Sequence, residues 1–354
     1  MTRLQKTITA IGGQDKEWRT KAKARLDQLA IPHWALGRLL DMAMDLAGQA
    51  RSMTPAVDRK AMITMAGDHG VTVEGVSKFP QEVTPQMVAN FVNGGAGINV
   101  LARAAGADIF VVDMGVAADL ASLAASGQII DKKVRMGTDN IAKGPAMNRA
   151  EAVQAIEAGI AVVSELADDY DIFGTGDMGI GNTTPSAAIA AALTGVSAAE
   201  VTGRGTGLDD AQMRLKEGVI AKALKINKPD AADGLDVLAK VGGFEIGGIA
   251  GVILGAAARR KPVVIDGFIS TAAALIAQSL APEVTDYIFA AHRSMENGHT
   301  IMQHHLGCEP LLDLNLRLGE GTGAALAMPL ITAASKVLVE VATFAEAAVA
   351  GADK

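Results

Sequence analysis

Residues 169–188 read DYDIFGTGDMGIGNTTPSAA, a strand, a bare loop and a helix start in immediate succession. Ile172 and Phe173 belong to a short apolar run, after which glycines at 174, 176, 179 and 181 strip the turn of side chains. Asn182, Thr183, Thr184 and Pro185 look like a capped helix start, with polar groups for free N–H donors and a proline that has none to satisfy. Other apolar runs end the same way, in Gly, Asp or polar residues: AMITMAGDHG from Ala61, DIFVVDMG from Asp108, KPVVIDGF from Lys261 and DYIFAAHRS from Asp286. Each predicts a buried parallel strand followed by a loop. Helical patterns lie between them. Thr84 and Pro85 resemble an N-cap and first-turn proline ahead of an apolar face of Met87, Val88, Phe91 and Val92, and Val153, Ile156, Ile160 and Val163 repeat the helical spacing. This alternation implies right-handed crossovers and an α/β fold with a doubly wound, mostly parallel sheet, whose ligands bind beyond the carboxyl ends of the strands.

The chain ends read differently. The first fifty or so residues are polar and helix-like, with Trp18, Leu26, Leu29, Trp34, Leu39 and Met42 as packing positions; the Ala-rich tail after Gly323 is also helical, with a kink expected at Pro329. Residues 1–58 and 323–354 are therefore expected to build a small helical domain beside a large α/β domain of residues 59–322. The 354 residues, 49% of them apolar, suffice for a large core, and 39 glycines with only 3% aromatics predict helices packed closely through small side chains. A net charge of −7 argues against nucleic acid or an anionic membrane surface as partner, since both need clustered Lys and Arg. The single cysteine, Cys308, cannot form an internal disulfide, which points to a reducing compartment. No run of signal-peptide length opens the chain, and the greasiest stretch, Ile246 to Ala258, is broken by glycines and too short to span a bilayer. The expectation is a cytoplasmic protein without a membrane segment.

Two glycine-laced loops carry the chemistry. GTGDMGIGNTT at 174–184 presents Asp177 and RLGEGTGAA at 317–325 presents Glu320, each beside a helix start. Bare backbone approaches a phosphate or sugar closely, and the N–H groups of a first helical turn bind anions. A phosphorylated small molecule is the expected ligand, with Glu320, flanked by Gly319 and Gly321, the leading catalytic candidate. Residues 174–179 also match the GxGxxG of an NAD-dependent oxidoreductase. That fingerprint needs an acid ending a second strand about 20 residues on, and Glu200 in ALTGVSAAEV follows no β-run. A non-catalytic nucleotide-binding protein is the other alternative. His299, His304, His305 and Cys308 fit neither zinc-finger nor HExxH spacing and are expected to be the solvated end of a short helix; no metal site is expected. Asp68 and His69 form a second-tier candidate pair, with His69 expected to hydrogen-bond to a neighbouring loop. There is no GxxxxGK[ST], nor the paired acids and TGGT-like turn that cradle pyrophosphate and Mg²⁺, so a metal-free phosphoribosyl donor without a cofactor is easier to accommodate.

MAGDHGV, FPQEVTPQMV, GTGDMGIGNTTPSAA, GRGTGLDD, VGGFEIGGIAG, PVVIDGF, AAHRSMENGH and PLLDLNLRLGEGTGAALA occur in that order, and from about Met65 to its end the chain resembles the nicotinate-nucleotide:dimethylbenzimidazole phosphoribosyltransferase family. The resemblance implies a homodimer with a Rossmann-like large domain and a small helical domain. It implies transfer of phosphoribose from nicotinate mononucleotide to 5,6-dimethylbenzimidazole, yielding α-ribazole 5′-phosphate, the lower-ligand precursor of cobalamin, and nicotinate. It makes Glu320 the general base, and places Arg317 and Lys216 near the phosphate, Gly179, Asn182, Ser294 and Gly319 around the phosphoribosyl group, and Gln86 and Leu318 at the base pocket, where Phe79 and Pro80 can complete an apolar slot. Asp177 stands where the family usually has Glu and is kept as a secondary catalytic candidate. On their own residues, Lys216 reads as a solvated helix position, Arg317 equally as an ion-pair partner of Asp313, and Glu245 as a site residue or a helix cap.

Overall fold

Six strands line up side by side in a computed structural model that describes residues 1–205 and 207–350. They are β1 (Lys60–Gly67), β2 (Ala107–Gly115), β3 (Ile130–Asp131), β4 (Ile172–Met178), β5 (Val263–Ile265) and β6 (Ile288–Ala290), in the order β3-β2-β1-β4-β5-β6. Every pairing is parallel. The sheet is thus doubly wound, as expected. The five apolar runs all became strands; β3, two residues long, has no such run to announce it. Strand order reverses between β1 and β4, and in their register Met65 lies opposite Asp177 and Ala66 opposite Met178. Chains leave that pair in opposite directions, which opens a crevice above it.

β1 is buried from Ala61 onward because helices cover both faces. Ala61, Ile63 and Met65 face one apolar cluster and Met62 and Ala66 the other, the period-two alternation of a strand. On the first face helix Arg149–Leu166 lies against Phe244–Ala258. A Cβ on Gly159 would collide with the Gly248 carbonyl, and one on Gly251 with that of Ile156, so these backbones touch only because side chains are absent. On the second face helices Arg38–Ala50, Gly97–Ala105 and Thr322–Glu340 share a core with the sheet.

The two ends of the chain meet there. Arg25 Nε donates to the Leu338 carbonyl at 2.8 Å and Leu29 bridges Thr343. The first helix, Arg3–Ala10, crosses to the other face instead, where Leu4 N donates to Glu157 Oε1 at 2.8 Å. Among the described residues Thr322–Glu340 is long and apolar enough to cross a bilayer, and it runs through Pro329, but its apolar flank is spent on the core.

One helix start differs from its sequence reading. The helix begins at Val83 with Glu82 as its cap, and Thr84 turns its hydroxyl outward from the helix to accept Ile180 N at 3.1 Å. A neighbouring loop, not its own helix, took the hydroxyl.

Candidate active site

Glu320 is held from three directions. Its residue sits in the left-handed region at φ 64°, an uncommon place for a non-glycine side chain. The conformation persists because long-range bonds determine it. The Thr64 hydroxyl on β1 donates to the Glu320 carbonyl at 3.0 Å, and Ile98 N, in the first turn of helix Gly97–Ala105, donates to Oε2 at 3.0 Å. Gly176 on β4 leaves the room, since a Cβ there would strike the same carbonyl. Asp266, just past β5, caps helix Thr322–Glu340, which follows Glu320: Oδ1 accepts Gly323 N at 2.7 Å and Ala324 N at 3.1 Å, and Oδ2 accepts Gly321 N at 3.1 Å. Burial raises the Glu320 carboxyl above its ordinary value, with the Ile98 amide opposing and Asp266 adding. At 6% exposure it still forms part of a cleft wall.

That cleft, ≈ 740 Å³, opens above the β1–β4 pair and brings Asp177, Gly179, Asn182, Ser294, Arg317, Leu318, Gly319 and Glu320 to one lining. Its volume suits a nucleotide-sized ligand. The two glycine loops stack, for a Cβ on Gly319 would sit 3.2 Å from Asp177 Oδ1. Asn182 ends the loop before helix Thr183–Thr194 and makes no side-chain cap; its Nδ2 donates to Asp177 Oδ2 at 2.8 Å. Arg317 and Leu318 lie exposed at the rim. Asp313, expected as an equal claim on Arg317, pairs with Arg293 instead. Gln86 lies outside the lining, exposed on a helix whose Val83 and Met87 face the cleft; Phe79 lines the rim, 53% exposed, while Pro80 does not reach it.

Lys216 overturns its sequence reading as a solvated position: it is fully buried on helix Asp210–Asn227. Nζ donates to Thr183 Oγ1 at 2.8 Å and to the Gly203 carbonyl at 3.2 Å, directly behind cleft-lining Thr183 and Gly205. Desolvation pulls its pKa down to about 8, against the attraction of Glu296. His299 is a second correction. His304 and His305 are exposed near the end of helix Asn297–Leu306, but His299 is buried completely. Among the described residues no group of three or more His, Cys, Asp or Glu side chains is arranged to hold a metal ion.

His69 Nε2 and Glu245 Oε1 lie 2.7 Å apart, buried beneath the cleft rather than lining it, so His69 bonds to the first turn of helix Phe244–Ala258 where a loop was expected. Glu200 closes a capping box with Ser197 on a short helix, a place incompatible with a dinucleotide's second strand. Two residues of the site were not singled out from sequence. His292 lines the cleft with Nε2 3.6 Å from Asp266 Oδ1. Asp266 ends a parallel strand, and that position was the available signal.

Burial pushes the Asp177 carboxyl up to about 8, aided by Asp266, Glu245 and Glu320 and opposed by the Asn182 bond. The native state therefore holds this proton more tightly than the unfolded chain, and stability falls as pH rises from near 3.8 towards 8. Asp177→Asn removes that slope. Its melting temperature is expected to stay near wild type at about pH 4 and to exceed it by a margin that grows up to about pH 8. Thermal unfolding across this range checks the point; two parallel curves would contradict it.

A switch-point crevice with paired acids, glycine cradles and a buried lysine behind them is the property of α/β enzymes that handle phosphorylated small molecules. The chain belongs to the phosphoribosyltransferase family whose model, DBI_PRT, matches residues 11–349. It is 60% identical to the nicotinate-nucleotide--dimethylbenzimidazole phosphoribosyltransferase of Desulfotalea psychrophila over 100% of both chains. It is likewise 60% identical to that of Syntrophotalea carbinolica over 99% of both. The crystal structure of CobT from Thermus thermophilus superposes with a TM-score of 0.91 at 45% identity, covering 95% of this chain and 100% of that one.

Proposed function

We propose that this chain transfers phosphoribose from nicotinate mononucleotide to 5,6-dimethylbenzimidazole, or a related lower-ligand base, giving α-ribazole 5′-phosphate and nicotinate. The observation that carries the reading is Glu320: its carbonyl held by Thr64 and its carboxylate by Ile98 in a cleft wall, stacked beside the loop that carries Asp177. In the donor the leaving ring is a cationic pyridinium. Its bond to C1′ breaks with the electron pair going to nitrogen, which neutralises the ring, so no general acid is required. One azole nitrogen of the acceptor bonds C1′ from the opposite face, inverting it, while the other nitrogen gives its proton to Glu320. The raised pKa of Glu320 improves that match, because an ordinary carboxylate is a weak base for an azole.

In this reading Lys216 and Arg317 attract the donor phosphate, which carries about −1.5 to −2 at neutral pH. Gly179, Asn182, Gly319 and Ser294 surround the phosphoribosyl group. Leu318 and Phe79 flank the flat acceptor, Gln86 outside the lining has no part in holding it, and Asp177, largely protonated at neutral pH, is a polar neighbour rather than a second base. A homodimer working in the cytoplasm without metal or cofactor is proposed with it. The test is release of nicotinate from the mononucleotide only when a benzimidazole is supplied. Release without acceptor, or none with it, would overturn the proposal; a redox change in nicotinamide would favour the oxidoreductase alternative.

A further inference from the structure

Two loops, one after β5 and one after β6, form part of the cleft wall, and each presents residues to the lining: Gly267 from the first, His292 and Ser294 from the second. Loops of this kind have no ladder of their own to fix their separation. Here the His299 imidazole spans them, beside the direct approach of His292 Nε2 to Asp266 Oδ1 at 3.6 Å. Ser294 N donates to His299 Nδ1 at 2.8 Å, so Nδ1 must carry a lone pair. The Thr271 hydroxyl donates to the Gly267 carbonyl at 2.8 Å and has its oxygen lone pairs left for His299 Nε2, also at 2.8 Å. Only the neutral ring protonated on Nε2 satisfies every member of this chain. Burial, reinforced by the neighbouring His292 ring, drives the His299 pKa down to about 3, in keeping with a ring that is neutral at neutral pH.

The bridge does not end at Ser294. Its Oγ accepts Glu296 N at 3.4 Å, and Glu296 Oε1 accepts Gly205 N at 3.0 Å, reaching the segment that screens Lys216. One turn further along helix Asn297–Leu306, buried Gln303 donates to the His292 carbonyl at 3.0 Å. The helix therefore grips the loop after β6 at two points, through His299 and Gln303, neither of which lines the cleft.

We propose that His299 is a positioning residue: by joining Ser294 N–H to the Thr271 hydroxyl and the Gly267 carbonyl, it holds the two loops at the separation that binds the donor's phosphoribosyl group. The role rests on the proposed reaction. It is distinct from the metal cluster or solvated helix end that the histidine spacing brings to mind. A misplaced loop after β6 weakens donor binding before it affects chemistry at C1′, since the bonds that fix Glu320 come from Thr64 on β1, Ile98 on Gly97–Ala105 and, through Gly321, Asp266 after β5, and none from that loop.

The test compares wild type with His299→Leu, His299→Asn and Thr271→Val, reading KM for nicotinate mononucleotide and kcat separately, with melting temperature as control. His299→Leu is expected to raise KM about tenfold or more while kcat moves less than about threefold, the signature of lost uniform binding. Asn offers an oxygen where Nδ1 stood, so His299→Asn recovers most of the loss; Thr271→Val, isosteric, raises KM by a smaller factor. Nitrogen-15 NMR of the wild-type imidazoles should find one ring unprotonated at Nδ1 and protonated at Nε2 down to acidic pH. Variants that lose melting temperature with KM unchanged would overturn the proposal, as would a protonated Nδ1. If His299→Leu does not fold, Thr271→Val and the NMR experiment decide. Absence of nicotinate release in wild type would sink the reaction itself, yet leave the NMR result standing as a measurement of the bridge.

Discussion

Glu320→Gln is expected to bind nicotinate mononucleotide about as well as the wild type and to lose roughly 10²- to 10⁴-fold in kcat, the usual worth of a general base. Glutamine keeps the shape, and its amide oxygen can still accept Ile98 N–H, so the left-handed backbone and its bond from Thr64 stay in place. What it cannot do is take a proton from the acceptor's second nitrogen. The nitrogen attacking C1′ would then leave the ring cationic in a buried site, which the transition state anticipates at full cost. Steady-state kinetics beside a direct titration of the donor separates the two effects. Full turnover in this variant would remove Glu320 from the mechanism.

The second large effect is expected at Lys216. Met in its place fills nearly the same volume but presents no charge to the phosphate and leaves Thr183 Oγ1 and the Gly203 carbonyl without their donor. Charged hydrogen bonds are worth about 1.5–3 kcal/mol, so KM for the mononucleotide should rise roughly 10- to 150-fold. A pH signature accompanies it. Because burial places the free lysine near 8, wild-type donor affinity is expected to fall as pH rises through that value, where the ammonium is lost. Bound phosphate stabilises the ammonium and moves the limb upward. Lys216→Met should show no such limb, and KM measured across alkaline pH distinguishes the two. An identical limb in the variant would assign it to another group.

How far the sequence carries depends on the range of the interaction being read. Strands β1, β2, β4, β5 and β6 were legible because a strand buried on both faces must be apolar nearly throughout, which is local information. β3 was not, because two residues on the sheet's edge need no such run. The same limit governs side chains. Lys216 reads as solvated because its helix is amphipathic and polar on average; its burial comes from distant segments, where Thr183 and the Gly203 carbonyl take its ammonium. His299 shares a helix with two exposed histidines, and nothing in the spacing says that one of the three turns inward. Thr84 likewise chose a loop about a hundred positions away over its own helix terminus. The glycine loops gave away Asp177 and Glu320 because bare backbone around an acid is itself a local signature. His292, which lines the wall, has no such frame, and Asp266, buried behind it, showed only its place at a strand end.

The glycines under the cleft also decide where this protein can change. Side chains at 174, 176 and 179 would run into Met62, the Glu320 carbonyl and the Gly67 carbonyl, so the floor has no freedom to be remodelled. Phe79 and Leu318 at the opening, more than half exposed, carry no such constraint. Adaptation to a bulkier or slimmer acceptor ring should therefore accumulate at the mouth, through exchanges of apolar size at those positions, while the machinery beneath drifts hardly at all.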